Sequence, residues 1–283
     1  MWRNASSLGL TALAGLAVAC GTPERATALP GPPRRIVSLA PSVTETLFAL
    51  GAGERLVGVC GQCNYPPEVA RVPRVGGYVA PSAEAVLAAE PDLVVAVPSP
   101  GNREAVATVE RAGVRVLVLA DRTLADLWAS IDALGAAVGE PARAAALGAR
   151  LRSDLEALHG GVPAGPRPRA LLVVGHRPLV VAGPGTLQAE LLDLVGAENV
   201  AADAGTPWPQ LSIEVAIARA PDVVIDAGMG SEADEREFGA SLRAGRVVSV
   251  PADTLFRAGP RVVEAGRMLA VAVRSPAARG GLE

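Results

Sequence analysis

The chain has 283 residues, is half apolar and 19% charged, and carries a formal charge of −3, which excludes a disordered polymer and supplies one large or two modest hydrophobic cores. Its basic side chains are all arginine and form no basic run, which argues against a nucleic-acid partner. Two histidines, three cysteines and no HExxH, GxSxG or Walker loop leave little material for a histidine-based catalytic site.

In chain order, residues 1–19 have Arg3 as their only charge and an uncharged stretch from Ala5 to Ala19, which reads as an export signal too short to span a membrane comfortably. Leu16, Ala17, Val18, Ala19 and Cys20 resemble a bacterial lipobox, in which Cys20 is lipidated and becomes the mature N-terminus. The alternative is ordinary signal-peptidase cleavage, because Ala17 stands where that pattern prefers Leu. Residues 20–33, with four prolines, read as a flexible tether. An exported, extracytoplasmic location follows, with a lipid anchor to the membrane through Cys20.

From Arg34 to Asp121 strands and helices alternate. Ile36–Leu39 and Leu56–Val59 are predicted strands around a helix at Ser42–Leu50, and the strand at Leu93 precedes a helix at Asn102–Ala112 and a strand at Val114–Leu119. This predicts an α/β lobe with a parallel sheet over 34–121. Residues 122–162 are helical in period, Leu124–Val138 and then Pro141–Leu158, with Pro141 suited to a first turn. A second α/β lobe over 163–283 has strands at Ala170–Val174, Leu179–Ala182, Val223 and Val247, a helix at Thr186–Val195 and a last helix at Pro260–Val273.

One pattern occurs in both lobes. Ser82, Glu84, Pro91, Asp92 and the run Leu93–Ala96 recur, 130 residues on, as Ser212, Glu214, Pro221, Asp222 and Val223–Asp226. Each copy reads as a short helix with Ser as N-cap, an acid in the first turn, a proline stop and a buried strand. Glu84 and Glu214 are thus ordinary helix-start carboxylates or, by their matched placement, two exposed acids for a basic partner.

Two enzyme-like patterns are present. Cys60-Gly61-Gln62-Cys63 has the spacing of a thiol-disulfide oxidoreductase, but Pro66 and Pro67 discourage the helix such a site needs; a structural disulfide or two unpaired thiols are the other readings. Gly228, Gly230 and Ala233 match a dinucleotide fingerprint, yet Glu232, Asp234, Glu235 and Glu237 would repel a pyrophosphate, so the match is accidental. His176, on a loop after a strand, is a hydrogen-bonded or exposed histidine before it is a metal ligand.

The segments Arg35–Leu50 (RIVSLAPSVTETLFAL), Asn64–Glu68 (NYPPE), Pro91–Ala96, Trp208–Glu214 (WPQLSIE) and Asp253–Arg261 (DTLFRAGPR) together resemble the helical-backbone class of substrate-binding proteins of ABC importers, which serves cobalamin, ferric siderophores and haem. The resemblance covers Arg34 to about Arg274 and is nearest to the cobalamin-binding members. It implies two Rossmann-like lobes joined by one long helix, a ligand cleft between them, no enzymatic activity and no cofactor, the corrinoid being cargo. It implies a monomer that delivers its ligand to a permease dimer, with Glu84 and Glu214 docking on permease arginines. Trp208, Tyr78, Asp253 and Arg257 match ligand-facing positions, whereas Gln62 and Val97 stand where cobalamin-binding members have aromatics. Trp208 is otherwise a core indole, and Asp253 with Arg257 a structural ion pair. Haem and siderophores are the alternative ligands, for which Tyr65 and Tyr78 would offer phenolates and Arg257 a carboxylate partner.

Overall fold

The computed structural model describes residues 31–99, 101–228 and 246–274. The leader, Cys20, most of the tether and the run from Gly230 to Glu237 lie outside the described residues.

The first lobe contains β1 (Ile36–Ser38), α1 (Pro41–Ala49), β2 (Leu56–Val59), α2 (Ala83–Ala88), β3 (Leu93–Ala96), α3 (Arg103–Arg111) and β4 (Val116–Val118), with all strands parallel in the order β2-β1-β3-β4. Two helices follow, α4 (Leu124–Val138) and α5 (Pro141–Gly160). The second lobe contains β5 (Arg169–His176), β6 (Leu179–Val181), α6 (Leu187–Leu194), β7 (Glu198–Asn199), α7 (Ile213–Ala218), β8 (Val223–Asp226), β9 (Val247–Ser249), α8 (Ala252–Leu255) and α9 (Val262–Arg274).

The second sheet is not wholly parallel. Its order is β6-β5-β8-β9, and β6 runs antiparallel to β5 because only Arg177 and Pro178 separate them, a link that permits a hairpin and no crossover. The short strand β7, absent from the sequence reading, pairs parallel with the start of β5 on the same edge. Predicted strand Val114–Leu119 is shorter than expected, at Val116–Val118, and forms a partly exposed sheet edge.

The repeated pattern folds as two matched units. Ser82 and Ser212 accept hydrogen bonds from Ala85 N (3.1 Å) and Val215 N (3.3 Å) at the starts of α2 and α7. Asp92 then bridges back to the opening of β1, accepting from Arg35 N at 3.0 Å, and Asp222 does the same for Arg169 N at 2.8 Å at the opening of β5. Between helix and strand both copies pass through the left-handed region, at Glu90 (φ 44°) and Ala220 (φ 46°). The proline that follows each residue disfavours right-handed helix there, and the helix is turned off sharply into the strand.

Side chains alternate across each sheet, as a strand buried on both faces requires. Val37, Leu39, Val94 and Ala96 pack on the outer face of the first lobe, and Leu171, Val173 and Val224 on that of the second. Ile36, Leu93, Val95, Leu172 and Ile225 face one shared core with α4, α5, α6 and α9.

Helix α5 has 20 residues, about 30 Å at the usual rise, and starts with Pro141 in its first turn. Helix α4 begins with a Thr123/Asp126 capping box and ends at Gly139 in the left-handed region. The two approach closely at Gly135, where a Cβ would come within 2.3 Å of Ala144 Cβ. Each lobe grips this helical pair with a part-buried polar contact. Arg55 donates to Val138 O at 2.7 Å from the first lobe, and Glu190 on α6 accepts from Leu124 N at 2.6 Å from the second.

Candidate functional site

The segments that leave the C-terminal ends of β1, β2, β3 and β4 meet the segment around α8 across the junction of the lobes: Asn64 bonds Asp253 and Arg257, Ser42 lies against Gly259, and Ala258 lines one small cavity with Val97, Leu119 and Asp121. The C-terminal ends of parallel strands are where ligands lodge on such sheets. The loop after β2 is the most tightly built. Cys60 and Cys63 are joined, with Cα atoms 5.3 Å apart and both residues fully buried. Thr44 donates to Cys63 Sγ (3.2 Å), and Arg74 donates to the carbonyls of Cys60 (3.2 Å) and Cys63 (2.5 Å). Neither sulfur is open to solvent, and the bond closes the loop on itself.

That loop presents Gln62, Asn64 and Tyr65. Gln62 Oε1 accepts from Tyr78 N at 2.7 Å, which brings two candidate ligand residues together within the first lobe. Asn64 crosses the junction, donating to Asp253 Oδ2 at 2.6 Å and accepting from Arg257 Nη1 at 2.7 Å. Tyr65 is 44% exposed, lies under the Arg261 guanidinium (4.5 Å to the ring centroid), and shares with Phe48, Glu68, Arg150 and Pro260 a cleft of about 930 Å3. Trp208, on the second lobe, is 40% exposed and meets the edge of Phe256 at 6.5 Å, so it is a partly open indole with a packed flank and no core residue.

Arg257 is 8% exposed at its side chain and makes its contacts within the protein. Nη1 donates to Glu45 Oε1 at 2.9 Å, and Nη2 reaches Asp253 Oδ2 (3.0 Å) and the Gln62 carbonyl (3.2 Å). Glu45, 1% exposed, also takes both arms of Arg261, Nη2 to Oε1 at 2.9 Å and Nε to Oε2 at 3.0 Å, and these bonds hold the Arg261 pKa above its ordinary value. The guanidinium of Arg257 is therefore oriented by protein partners before any ligand enters.

No motif in the sequence marks Glu45 as a site residue. It sits on α1 among Val43, Thr44, Thr46 and Leu47, all buried. An acid inside an apolar helix face is a signal, because burial of an ionised carboxylate demands a cation.

Asp121, three residues beyond the end of β4, is a second unpredicted group. Burial, and then the nearby Asp126 carboxylate, push its pKa up to about 6 against the opposing effect of Arg122. Tyr78 is pushed up to about 12, by burial and then by Asp121. Its phenol is neutral at physiological pH. His176 is not on the surface, since its side chain is 4% exposed and its Nε2 lies 2.9 Å from both carboxylate oxygens of Asp226. Gly228 N donates to Asp226 Oδ1 at 2.9 Å, where the accidental glycine pattern begins.

Glu84 and Glu214 are both exposed, each in the first turn of its matched helix. Hydrogen bonds from Ser212 and then the backbone hold the Glu214 carboxyl below its ordinary pKa.

Two Rossmann-like lobes that share a long helix and turn loops toward each other define a solute-binding protein. The chain belongs to the periplasmic binding protein family, whose model matches residues 36–245. It is 30% identical over 240 residues to the vitamin B12-binding protein of Pectobacterium carotovorum, covering 84% of this chain and 87% of that one. Among solved structures it is similar to the periplasmic vitamin B12-binding protein BtuF of Vibrio cholerae (TM-score 0.74, 28% identity, 86% of this chain and 98% of that chain). It is also similar, with a higher TM-score and identity, to a periplasmic heme-binding protein from Pseudomonas aeruginosa (TM-score 0.78, 30% identity, 87% of this chain and 94% of that chain).

Proposed function

We propose that this protein captures cobalamin or a related corrinoid outside the cytoplasm and delivers it to the permease of an ABC importer, with Cys20 as the lipid anchor and Glu84 and Glu214 as docking acids. The observation that carries the ligand class is the half-open Trp208 beside Phe256, whose chain neighbour Arg257 bonds a first-lobe loop that exposes the neutral side chains of Gln62 and Asn64. A flat macrocycle with amide arms needs an apolar face to stack on and uncharged polar groups at its periphery, and this pairing supplies both. The near full-length similarity to vitamin B12-binding proteins supports the same reading.

Haem is the second reading. The Pseudomonas aeruginosa neighbour is named for it, and the exposed phenol of Tyr65 beneath Arg261 offers an iron ligand next to a cation. Fluorescence titration with cyanocobalamin, haem and a ferric siderophore, corrected for inner-filter absorption and for Trp128, separates these readings. Saturable quenching by cyanocobalamin at or below micromolar, lost in Trp208→Ala, is the expected result. Saturation by haem alone would move the ligand to iron and leave the transport role standing.

A further inference from the structure

Glu45, Asp253, Arg257 and Arg261 form one charge cluster across the lobe junction, two carboxylates against two guanidiniums, with a formal sum of zero. Three of the four are withdrawn from water, their side chains being 1% (Glu45), 8% (Arg257) and 16% (Arg261) exposed. Arg257 is nevertheless one residue layer from the candidate ligand surface. It donates to the Gln62 carbonyl and to Asn64 Oδ1, and the Gln62 side chain in turn holds the Tyr78 backbone. A unit charge at that depth, screened by protein more than by water, is felt by any group lodged against the loop.

We propose that Glu45 is a specificity-determining residue of the ligand cleft, acting through Arg257. By cancelling the guanidinium charge it makes the cleft accept a macrocycle with neutral amides at its periphery and discriminate against one bearing carboxylates. This rests on the corrinoid reading above and adds to it a residue and a rule of selection. A carboxylate that enters the cleft loses hydration, and a free guanidinium fork would compensate for that loss. Here the donor arms of Arg257 are directed to Glu45, Asn64, Gln62 and Asp253, so a ligand carboxylate finds no compensation. An amide gives up far less hydration and meets the Asp253 carboxylate, which keeps 60% of its side chain in solvent. Glu45 touches no ligand in this account and is a positioning residue for Arg257.

The test compares cyanocobalamin with its monocarboxylate, in which one peripheral amide is hydrolysed to the acid, by calorimetric titration at neutral pH. Wild type is expected to favour the amide form by tenfold or more. In Glu45→Gln the cluster carries +1 and that preference falls at least tenfold, toward or past unity. In Arg257→Gln the cluster carries −1 while Glu45 keeps both bonds from Arg261, and the preference widens severalfold. The double variant returns the sum to zero and restores the wild-type ratio despite having lost the most contacts. A purely structural role would lower both affinities together and make the double variant the worst. An unchanged ratio in Glu45→Gln overturns the proposal; should that variant not fold, an unchanged or narrowed ratio in Arg257→Gln overturns it, as does a wild type with no preference. Failure of wild type to bind cyanocobalamin removes the corrinoid reading with it, whereas binding with an insensitive ratio removes this proposal alone.

Discussion

Glu45 and Arg261 are 216 residues apart in the chain and meet in a two-armed ion pair, Nε to Oε2 at 3.0 Å and Nη2 to Oε1 at 2.9 Å, across the junction of the lobes. Arg257 adds a third donor to the same buried carboxylate. Loss of one partner from such a cluster leaves the others desolvated and unpaired, at a cost of about 3–5 kcal/mol. Glu45→Ala is therefore expected to lower the denaturant midpoint by an amount of that order without a change in slope. A loss below about 1 kcal/mol would mean that water reaches the two guanidiniums and that the cluster is weaker than its burial indicates.

The two matched units contain a correctable strain. Glu90 and Ala220 hold φ of 44° and 46°, a conformation that is unfavourable for a side chain and open to glycine. Glu90→Gly and Ala220→Gly are each expected to stabilise the protein by about 0.5–1 kcal/mol, after subtraction of the greater entropy of glycine in the unfolded chain. The sites are in separate lobes, so their effects should add. Thermal unfolding of both single variants and the double variant checks this, and destabilisation by either glycine would contradict it.

Much of this architecture is readable in one dimension because its causes are local. Ser82 and Ser212 cap their helices, Pro141 opens α5, and the repeated Pro-Asp leads into buried strands, each within a few residues. The strand at Leu179–Ala182 is readable from its residues as β6, and its antiparallel direction has an equally local cause: two residues between His176 and Leu179 force a hairpin. The junction is a different case. Asp253 and Arg257 can be noticed as an i, i+4 pair, but their link to Glu45 and Asn64 spans about 190–210 positions and leaves no periodic trace. Asp121 looks like any loop acid, and only the packed chain shows that it is half-buried beside Asp126 and Tyr78.

That burial makes Asp121 a source of pH dependence. Its folded pKa, about 6, is above its unfolded value near 4, so between those values the native state binds the proton more tightly. Stability from this group is full below about pH 4 and is lost as pH rises through about 6. Asp121→Asn removes the ionisation and is expected to stabilise the protein by about 1–3 kcal/mol at pH 7.5 and by much less at pH 4. Unfolding free energies at the two pH values decide it. An equal effect at both would assign the change to packing instead of charge.

Glu84 and Glu214 are presented at equivalent points of two lobes that one helical pair holds together, so their separation is a property of the fold. Two exposed acids at a set spacing suit a partner with two matching cations, and such rim charges act chiefly on encounter rate and orientation. In vesicles that contain the cognate permease, Glu84→Arg and Glu214→Arg are each expected to slow ligand delivery roughly tenfold, and the pair together by more, with the gap to wild type shrinking as salt rises. Ligand affinity of the free protein should be unaffected, since neither carboxylate is among the loops at the lobe junction. The low pKa of Glu214 keeps it ionised in mildly acidic surroundings, so its contribution should persist as pH falls toward the ordinary glutamate range. Delivery that is unchanged in the double variant would show that the acids serve only the first turns of α2 and α7.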